Sequence, residues 1–361
     1  MNNQDFEQYI KQTEPSAAEK GYAWHTAIGL QAVDGIQPSE YLLQTAIRNI
    51  EGEISFDETS RLLDAYYKEN RAHLPEDRTE EADKVSARIA AILSETAFSF
   101  TPQEFINIHY RLFQGIYKLA GKIRDYNITK NEWVLGGKTV LYGNAFKLRA
   151  ALDYDFRMEK EFEYKGLSSE QLIRHLASFI SRLWQIHPFG EGNTRTTAVF
   201  FIKYLRALGF NVSNDSFANH AWYFRNALVR ANYNDVKNGI RETTEYLELF
   251  LRNLLLGETN ALQNRDLHIS GLLAAKQDID AEKQDIDDVK QDIGDVLSAH
   301  VRTQAEKLRA VFGSETIFGR RDVIAVLGIT ASPASALIRK LFEAQVIVPV
   351  PGQGKGRYRF Q

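Results

Sequence analysis

Residues Leu183–Leu205 read LWQIHPFGEGNTRTTAVFFIKYL. An apolar helical run ends at Ile186, His187 and Pro188 leave it, a glycine-bearing loop runs to Asn193, and a second helix starts near Thr194. A loop that feeds a helix N-terminus offers unbonded backbone N–H groups, here from Gly190 to Thr194, at the positive end of the helix dipole. That is an anion site. Gly190 and Gly192 let the backbone come close to a pyrophosphate. Arg195 in the first turn adds a cation, Glu191 can hold Mg²⁺ through its carboxylate, and His187 at the loop mouth can take a proton near neutral pH. Each part alone is weak, because a histidine at a helix end is usually a cap or core residue and a glutamate between glycines is usually solvated. His, Glu, Asn and Arg at one loop–helix junction together form a phosphoryl or nucleotidyl transfer kit.

The rest of the composition sets bounds around this loop. The chain has 361 residues, 44% hydrophobic, 25% charged and 11% aromatic, which excludes general disorder and leaves length for two or three domains. It has no cysteine, which excludes disulfides, thiolate nucleophiles, zinc–thiolate sites and iron–sulfur clusters and suits a reducing compartment. No apolar run approaches the roughly 20 residues of a membrane helix, and the start MNNQDFEQYIKQTEPS lacks a basic and then apolar leader. The expectation is a cytoplasmic protein without membrane contact. The net charge of −3 is too small to imply a polyanion partner for the whole chain, but it conceals segments of opposite sign.

Four regions follow from pattern and composition. Residues 1–95 read as amphipathic helices with polar connections. Residues 96–257 are denser in apolar and aromatic residues and form the candidate core. Within that core, Asn131–Tyr142 (NEWVLGGKTVLY) alternates around Gly136-Gly137 and predicts a β-hairpin. The neighbouring Lys138-Thr139 suggests the tail of a P-loop, but the first glycine that motif requires is Glu132. Residues 258–299 contain KQDIDAE-KQDIDDV-KQDIGDV at 276–296, a period of seven with eight acidic residues against three lysines. That segment is either a solvated linker helix or the seam of a coiled-coil homodimer. Residues 300–361 read helix, short turn, helix and two extended runs, the winged helix-turn-helix layout. Ten Lys and Arg against four Asp and Glu give this module a formal +6, which suits DNA, although the same layout also docks proteins.

The run His187-Pro188-Phe189-Gly190-Glu191-Gly192-Asn193-Thr194-Arg195 resembles the signature loop of the Fic family, HxFx[D/E]GNGRxxR. The resemblance covers roughly residues 45–255, with Ala120-Gly121-Lys122-Ile123-Arg124 upstream and the expected hairpin in place. It implies a mainly α fold, with a Fic helical core, a β-hairpin flap and here a C-terminal winged helix. It also implies transfer of AMP from MgATP to a Ser, Thr or Tyr hydroxyl of a protein. By resemblance His187 is the base and Glu191 holds the Mg²⁺. Gly190, Gly192, Asn193 and Thr194 form the anion hole, Arg195 binds the β-phosphate, and Asn232 and Tyr223 stand near the adenine. Val134, Leu135, Gly136, Gly137, Lys138 and Thr139 form a flap that docks the target by strand addition.

Two positions depart from the motif. Thr194 replaces its second glycine, and Ala198 replaces its second arginine, the usual γ-phosphate clamp. Removing one bidentate phosphate interaction costs on the order of 1.5–3 kcal/mol of nucleotide binding. Upstream, Glu51-Gly52 partially matches the inhibitory motif [S/T]xxxE[G/N], with Ile47 at the Ser/Thr position. With Ala198 in place of its usual partner, Glu51 needs Arg195 or a water, or is merely a helix-end carboxylate. The first expectation is therefore an autoinhibited adenylyltransferase able to modify itself. The alternatives are a de-AMPylase, a transferase for another nucleotide, or a nucleotide-sensing DNA-binding regulator.

Overall fold

The computed structural model describes residues 15–70, 78–212, 215–271, 299–314, 316–329, 331–350 and 356–361. The heptad segment 276–296, and with it the coiled-coil reading, lies outside them. The chain divides into two units, Met1–Leu273 and Ala274–Gln361.

In the first unit α1 (Pro15–Gly29) runs into a 3₁₀ turn, Leu30–Asp34, that closes on Gly35 at φ 68°. Helices α2 (Glu40–Ile50), α3 (Phe56–Asn70) and α4 (Thr79–Ser94) follow. A fully buried carboxylate joins these three. Asp83 accepts hydrogen bonds from the Ser39 N–H (2.7 Å), the Ser39 hydroxyl (2.5 Å) and the Tyr67 hydroxyl (2.6 Å). Three donors, two of them on Ser39, the cap residue of α2, offset the cost of burying the charge. Burial first, and then the Asp83 charge, push the Tyr67 hydroxyl far above its ordinary pKa.

Helices α5 (Pro102–Phe113), α6 (Leu148–Lys160), α7 (Ser169–Ile186), α8 (Asn193–Ala207), α9 (Ser216–Arg230), α10 (Glu245–Leu256) and α11 (Asn264–Leu267) complete the unit. Thr101 caps α5 with Pro102 in the first turn, and Ser168 and Gln171 form a capping box on α7, so both starts are encoded locally. Every residue of α8 from Asn193 to Leu205 is buried. A helix covered on all sides is the middle of its core, and Trp24 of α1, Val85 of α4, Phe105 of α5 and Phe179 of α7 share that core with Phe200. Residues 1–95 and 96–257, distinct in composition, are therefore one packed body.

The expected β-hairpin over Asn131–Tyr142 is not formed. Trp133–Leu135 make a 3₁₀ turn, and Gly136 and Gly137 both take positive φ, 60° and 86°. The Glu132 N–H reaches Lys138 O at 2.9 Å, and the Gly137 N–H returns to Glu132 O at 3.0 Å. The chain does reverse, but as a compact loop. Val134 and Leu135 are both fully buried, whereas consecutive strand residues point to opposite faces. Packing of both side chains overrides the alternation.

The second unit contains α12 (Ala299–Phe312), β1 (Phe318–Gly319), α13 (Arg320–Leu327), α14 (Ala331–Glu343), β2 (Ile347–Pro349) and β3 (Arg357–Phe360). The strands form an antiparallel sheet of order β1-β3-β2, with Phe318 opposite Tyr358 and Ile347 opposite Phe360. Leu308, Phe318, Val323, Leu341 and Ile347 form its own small core. The two helices and two extended runs read from the sequence are present. The leading helix and the short strand β1 are additions.

Candidate active site at the Gly190–Arg195 loop

His187 is the C-cap of α7 in the left-handed conformation, φ 50° and ψ 58°. A non-glycine residue held there costs on the order of 1–3 kcal/mol and persists only where its surroundings enforce it. Arg124 enforces it. Its Nε donates to His187 O at 2.8 Å, its N–H to Pro188 O at 2.9 Å, and its two terminal nitrogens to Tyr126 O (2.5 Å) and Gly143 O (2.6 Å). The His187 Nδ1 lies 3.2 Å from Trp184 O. A carbonyl only accepts, so Nδ1 carries the proton and Nε2 keeps its lone pair. Nε2 is buried and has no hydrogen-bond partner among the described residues. Burial, and then the charges of Lys130, Arg124 and Arg225, push the imidazole well below its ordinary pKa. It is neutral at pH 7.

The Tyr142 ring lies against the His187 ring at 4.3 Å. Its hydroxyl donates to Glu132 Oε1 at 2.8 Å, and Arg225 pairs with Glu132 Oε2 at 2.8 Å. One wall of the imidazole is thereby fixed through a fully buried carboxylate.

The loop itself is held at both ends. Asn193 and Phe189 bond reciprocally, Phe189 N–H to Oδ1 at 3.0 Å and Nδ2 to Phe189 O at 2.8 Å. Gly192, the N-cap of α8, has φ 72°, and a Cβ there would stand 2.4 Å from the Phe113 ring. No other residue fits. A Cβ on Gly190 would stand 2.6 Å from the Tyr126 hydroxyl. Thr194 accepts the Trp184 indole N–H at 3.0 Å, a bond that the glycine of the family motif cannot make. Glu191 is exposed at the loop tip, and its carboxylate has no ion-pair or hydrogen-bond partner among the described residues. Its carbonyl is held at 3.0 Å by His109 Nε2, while His109 Nδ1 accepts the Gly121 N–H at 2.8 Å. Burial, aided by the Arg195 charge, lowers the His109 pKa to about 4 against the opposing bond to Glu191. His109 is a neutral strut between the loop and the Gly121 segment.

Arg195 behaves differently from expectation. It is fully buried, with Nη1 donating to Gln31 Oε1 (3.0 Å) and Nη2 to Glu81 Oε1 (2.6 Å) and the Tyr117 hydroxyl (2.9 Å). Asp34 Oδ2 stands 2.8 Å from the same Nη2. Burial opposes the charge, but Asp34, Tyr117 and Glu81 outweigh it and raise the pKa. Both ends of the guanidinium are thus committed to the 3₁₀ turn after α1 and to α4. Glu51 is not among its partners. It ends α2 as an exposed C-cap residue, so the carboxylates on the motif arginine are Asp34 and Glu81.

Of the other expected residues, Asn232 donates to Ser181 O (3.1 Å) and Leu228 O (2.9 Å) and lines a separate cleft that contains no loop residue. Tyr223 is a core side chain whose hydroxyl burial pushes far above its ordinary pKa. Neither is brought to the loop. In the expected flap, Lys138 pairs with Asp235 at 2.8 Å, and Thr139 Oγ1 accepts the Lys130 N–H at 3.1 Å. Asp34, Glu81, Tyr117, His109, Tyr142 and Lys130 were absent from the sequence-based set. Two left a signal: Glu81 begins the apolar stripe Val85, Ile89, and His109 lies midway between Phe105 and Phe113 on one helix face.

Residues 99–205 match the model of the Fic/DOC family. A protein adenylyltransferase, VbhT, of Bartonella schoenbuchensis is 27% identical over 141 residues, 38% of this chain and 28% of that relative. A protein adenylyltransferase of Bartonella henselae is 24% identical over 150 residues, 39% and 26% of the two chains. The match thus spans little more than a quarter of these relatives. Among solved structures, a Fic family protein from Desulfovibrio desulfuricans G20 has a TM-score of 0.44 at 12% identity, covering 99% of this chain and 93% of that one. The N-terminal Fic domain of a Bartonella effector protein from Bartonella sp. AR 15-3 has 0.38 at 19%, covering 49% and 81%. The matched stretch contains α5 to α8 apart from the last two residues of α8, and it includes both His187 and Glu191.

Proposed function

We propose that the chain transfers AMP from ATP to a protein hydroxyl. The observation that carries this reading is the His187 imidazole, with Nδ1 bonded to Trp184 O and Nε2 left free next to a loop of backbone N–H groups. The target hydroxyl gives its proton to Nε2. Its oxygen then bonds the α-phosphorus, and the bond from that phosphorus to the bridging oxygen breaks, releasing pyrophosphate. Glu191 is the residue that would hold Mg²⁺, and one carboxylate plus substrate phosphates is the ordinary Mg²⁺ set. The ion would neutralise phosphate charge. Nε2 is buried, with the Tyr142 and Trp184 rings against the imidazole, so the target chain must displace part of what covers it.

Lys130 takes the place of the missing arginine at Ala198. It is a half-buried ammonium without a carboxylate within pairing distance among the described residues, and it is the foremost charge acting on His187. Burial lowers its pKa. Arg195 stays with Asp34 and Glu81, which hold it back from phosphate, and inhibition acts through that pair. The sealed Arg195 and the buried Ala198 favour a second reading, a donor with fewer phosphates or a different nucleotide. For self-modification the acceptor is Tyr126, whose hydroxyl lies against Gly190. The second unit docks DNA with α14, where Arg339 is 73% exposed.

Incubation of the full chain with each α-labelled nucleoside triphosphate and Mg²⁺ tests the reading. Label on protein in the wild type or in Glu81→Gln, absent in His187→Ala, is expected. No label with any triphosphate in any variant overturns it.

A further inference from the structure

A cleft of about 810 Å³ opens between α3, α4, α5 and the segment after α5, and the loop chemistry makes no use of it. None of the residues from His187 to Arg195 lines it. Five cations line it against the carboxylates of Asp57 and Asp64. Two of the five are neutralised: Lys84 by Asp64 (2.7 Å) and Glu80 (2.8 Å), and Arg111 by Glu95. Arg88, Lys118 and Lys122 have no carboxylate within ion-pairing distance among the described residues.

Arg88 is the built part of this lining. Its Nη1 donates to Leu112 O and Gln114 O, each at 2.9 Å, which fixes the guanidinium at the end of α5. Two carbonyls satisfy donors but supply no net negative charge. Asp64 acts on Arg88 only from beyond ion-pairing distance and is itself bonded to Lys84, and a half-buried guanidinium held in place without a direct carboxylate partner is a preorganised anion site whose planar fork matches phosphate. The Lys118 and Lys122 ammonium groups add two further charges on the exposed side. Small and aliphatic side chains, Leu63, Ala87 and Ile92 among them, line the rest together with Phe56 and a tyrosine wall of Tyr117 and Tyr110, the latter 49% exposed. The volume lies within the range of small-molecule sites, roughly 300–1,000 Å³.

We propose that this cleft binds an organic phosphate of nucleotide size, its phosphates on Arg88, Lys118 and Lys122 and its ring on the tyrosine wall. This site is separate from the loop and does not rest on the transferase reading. The two sites share one side chain, because the Tyr117 hydroxyl bonds Arg195 while its ring lines the cleft.

Isothermal titration of the full chain with ADP, and separately with inorganic pyrophosphate, tests the proposal. An ADP-binding component weakened at least tenfold in Lys118→Gln/Lys122→Gln and in Arg88→Gln, and retained in Asn193→Ala, is expected. The lysine pair is exposed, so that variant remains informative if Arg88→Gln folds poorly. Wild-type affinity in both cleft variants, no ADP binding by the wild type, or loss of all binding in Asn193→Ala overturns it. Failure of the loop reading instead leaves a single component that is still sensitive to the cleft variants.

Discussion

Glu81→Gln removes a charge that seals Arg195 and also holds Arg78, whose Nε and Nη2 donate to Glu81 Oε2 (2.8 Å) and Oε1 (2.6 Å). The change conserves volume and leaves an amide oxygen in the place of Oε1, but removes one of two negative charges from a guanidinium that is fully buried. Breaking a buried ion pair outright costs about 3–5 kcal/mol. Asp34 remains 2.8 Å away, so the cation keeps a partner, and a loss of about 2–3 kcal/mol is expected. For a unit of this size that lowers Tm by roughly 4–12 °C. The pH dependence has a definite sign. Burial raises the Glu81 carboxyl, but Arg78, Arg195 and Tyr117 outweigh it and hold its pKa below the ordinary value. Its contribution is therefore complete above the unfolded carboxylate pKa, about 4.3, and is lost as pH falls through the lower folded value. Urea unfolding of both proteins between pH 7 and pH 3 measures the gap. A gap under about 0.5 kcal/mol at pH 7, or one that does not narrow in acid, refutes the assignment of Glu81 as the counter-charge. Nucleotide affinity provides a second readout. Destabilisation with tighter nucleotide binding shows a restrained phosphate ligand, whereas destabilisation with unchanged affinity makes Arg195 part of the scaffold.

Three further outcomes are expected. Gly192→Ala combines a left-handed backbone with a Cβ 2.4 Å from the Phe113 ring, so it loses about 2–4 kcal/mol by denaturant unfolding. Gly209→Ala, also at positive φ but with no neighbour within 4 Å, loses only about 1–2 kcal/mol. The His187 pKa is depressed, so the acid limb of kcat/KM falls well below pH 6.5. In Lys130→Gln the limb moves to higher pH, because the foremost cation acting on the imidazole is gone, and KM for the nucleotide rises; an unmoved limb contradicts the placement of Lys130. If α14 binds DNA, Arg339→Gln lowers the slope of log affinity against log salt by about 0.9 for each phosphate it no longer neutralises, measured by gel shift across a salt series.

Much of the site was readable from one stretch because its physics is local. A helix that ends at His187, glycines that free the backbone, and a helix expected near Thr194 and found from Asn193 set the course of this loop from local signals alone. The hairpin expectation failed for a related reason. Alternation is a local signal, but the burial of both Val134 and Leu135 is set by what packs on them. The partners of Asn232 and Tyr223 could not be read in advance, because a polar or aromatic residue on an amphipathic helix carries no mark of which neighbour it meets.

What the sequence by itself determined is the gathering of His187, Glu191, Asn193 and Arg195 at one loop–helix junction, with alanine at 198 where the motif has its second arginine. Only the tertiary structure decided the state of Arg195. Its partners Gln31 and Glu81 lie 164 and 114 residues away, and no short-range pattern encodes that meeting. The same holds for the depressed pKa of His187, which depends on burial and on cations from the segment after α5 and from α9, whereas its tautomer is set locally by Trp184 O three residues back. Local geometry places the functional groups, and long-range packing sets their charge and availability.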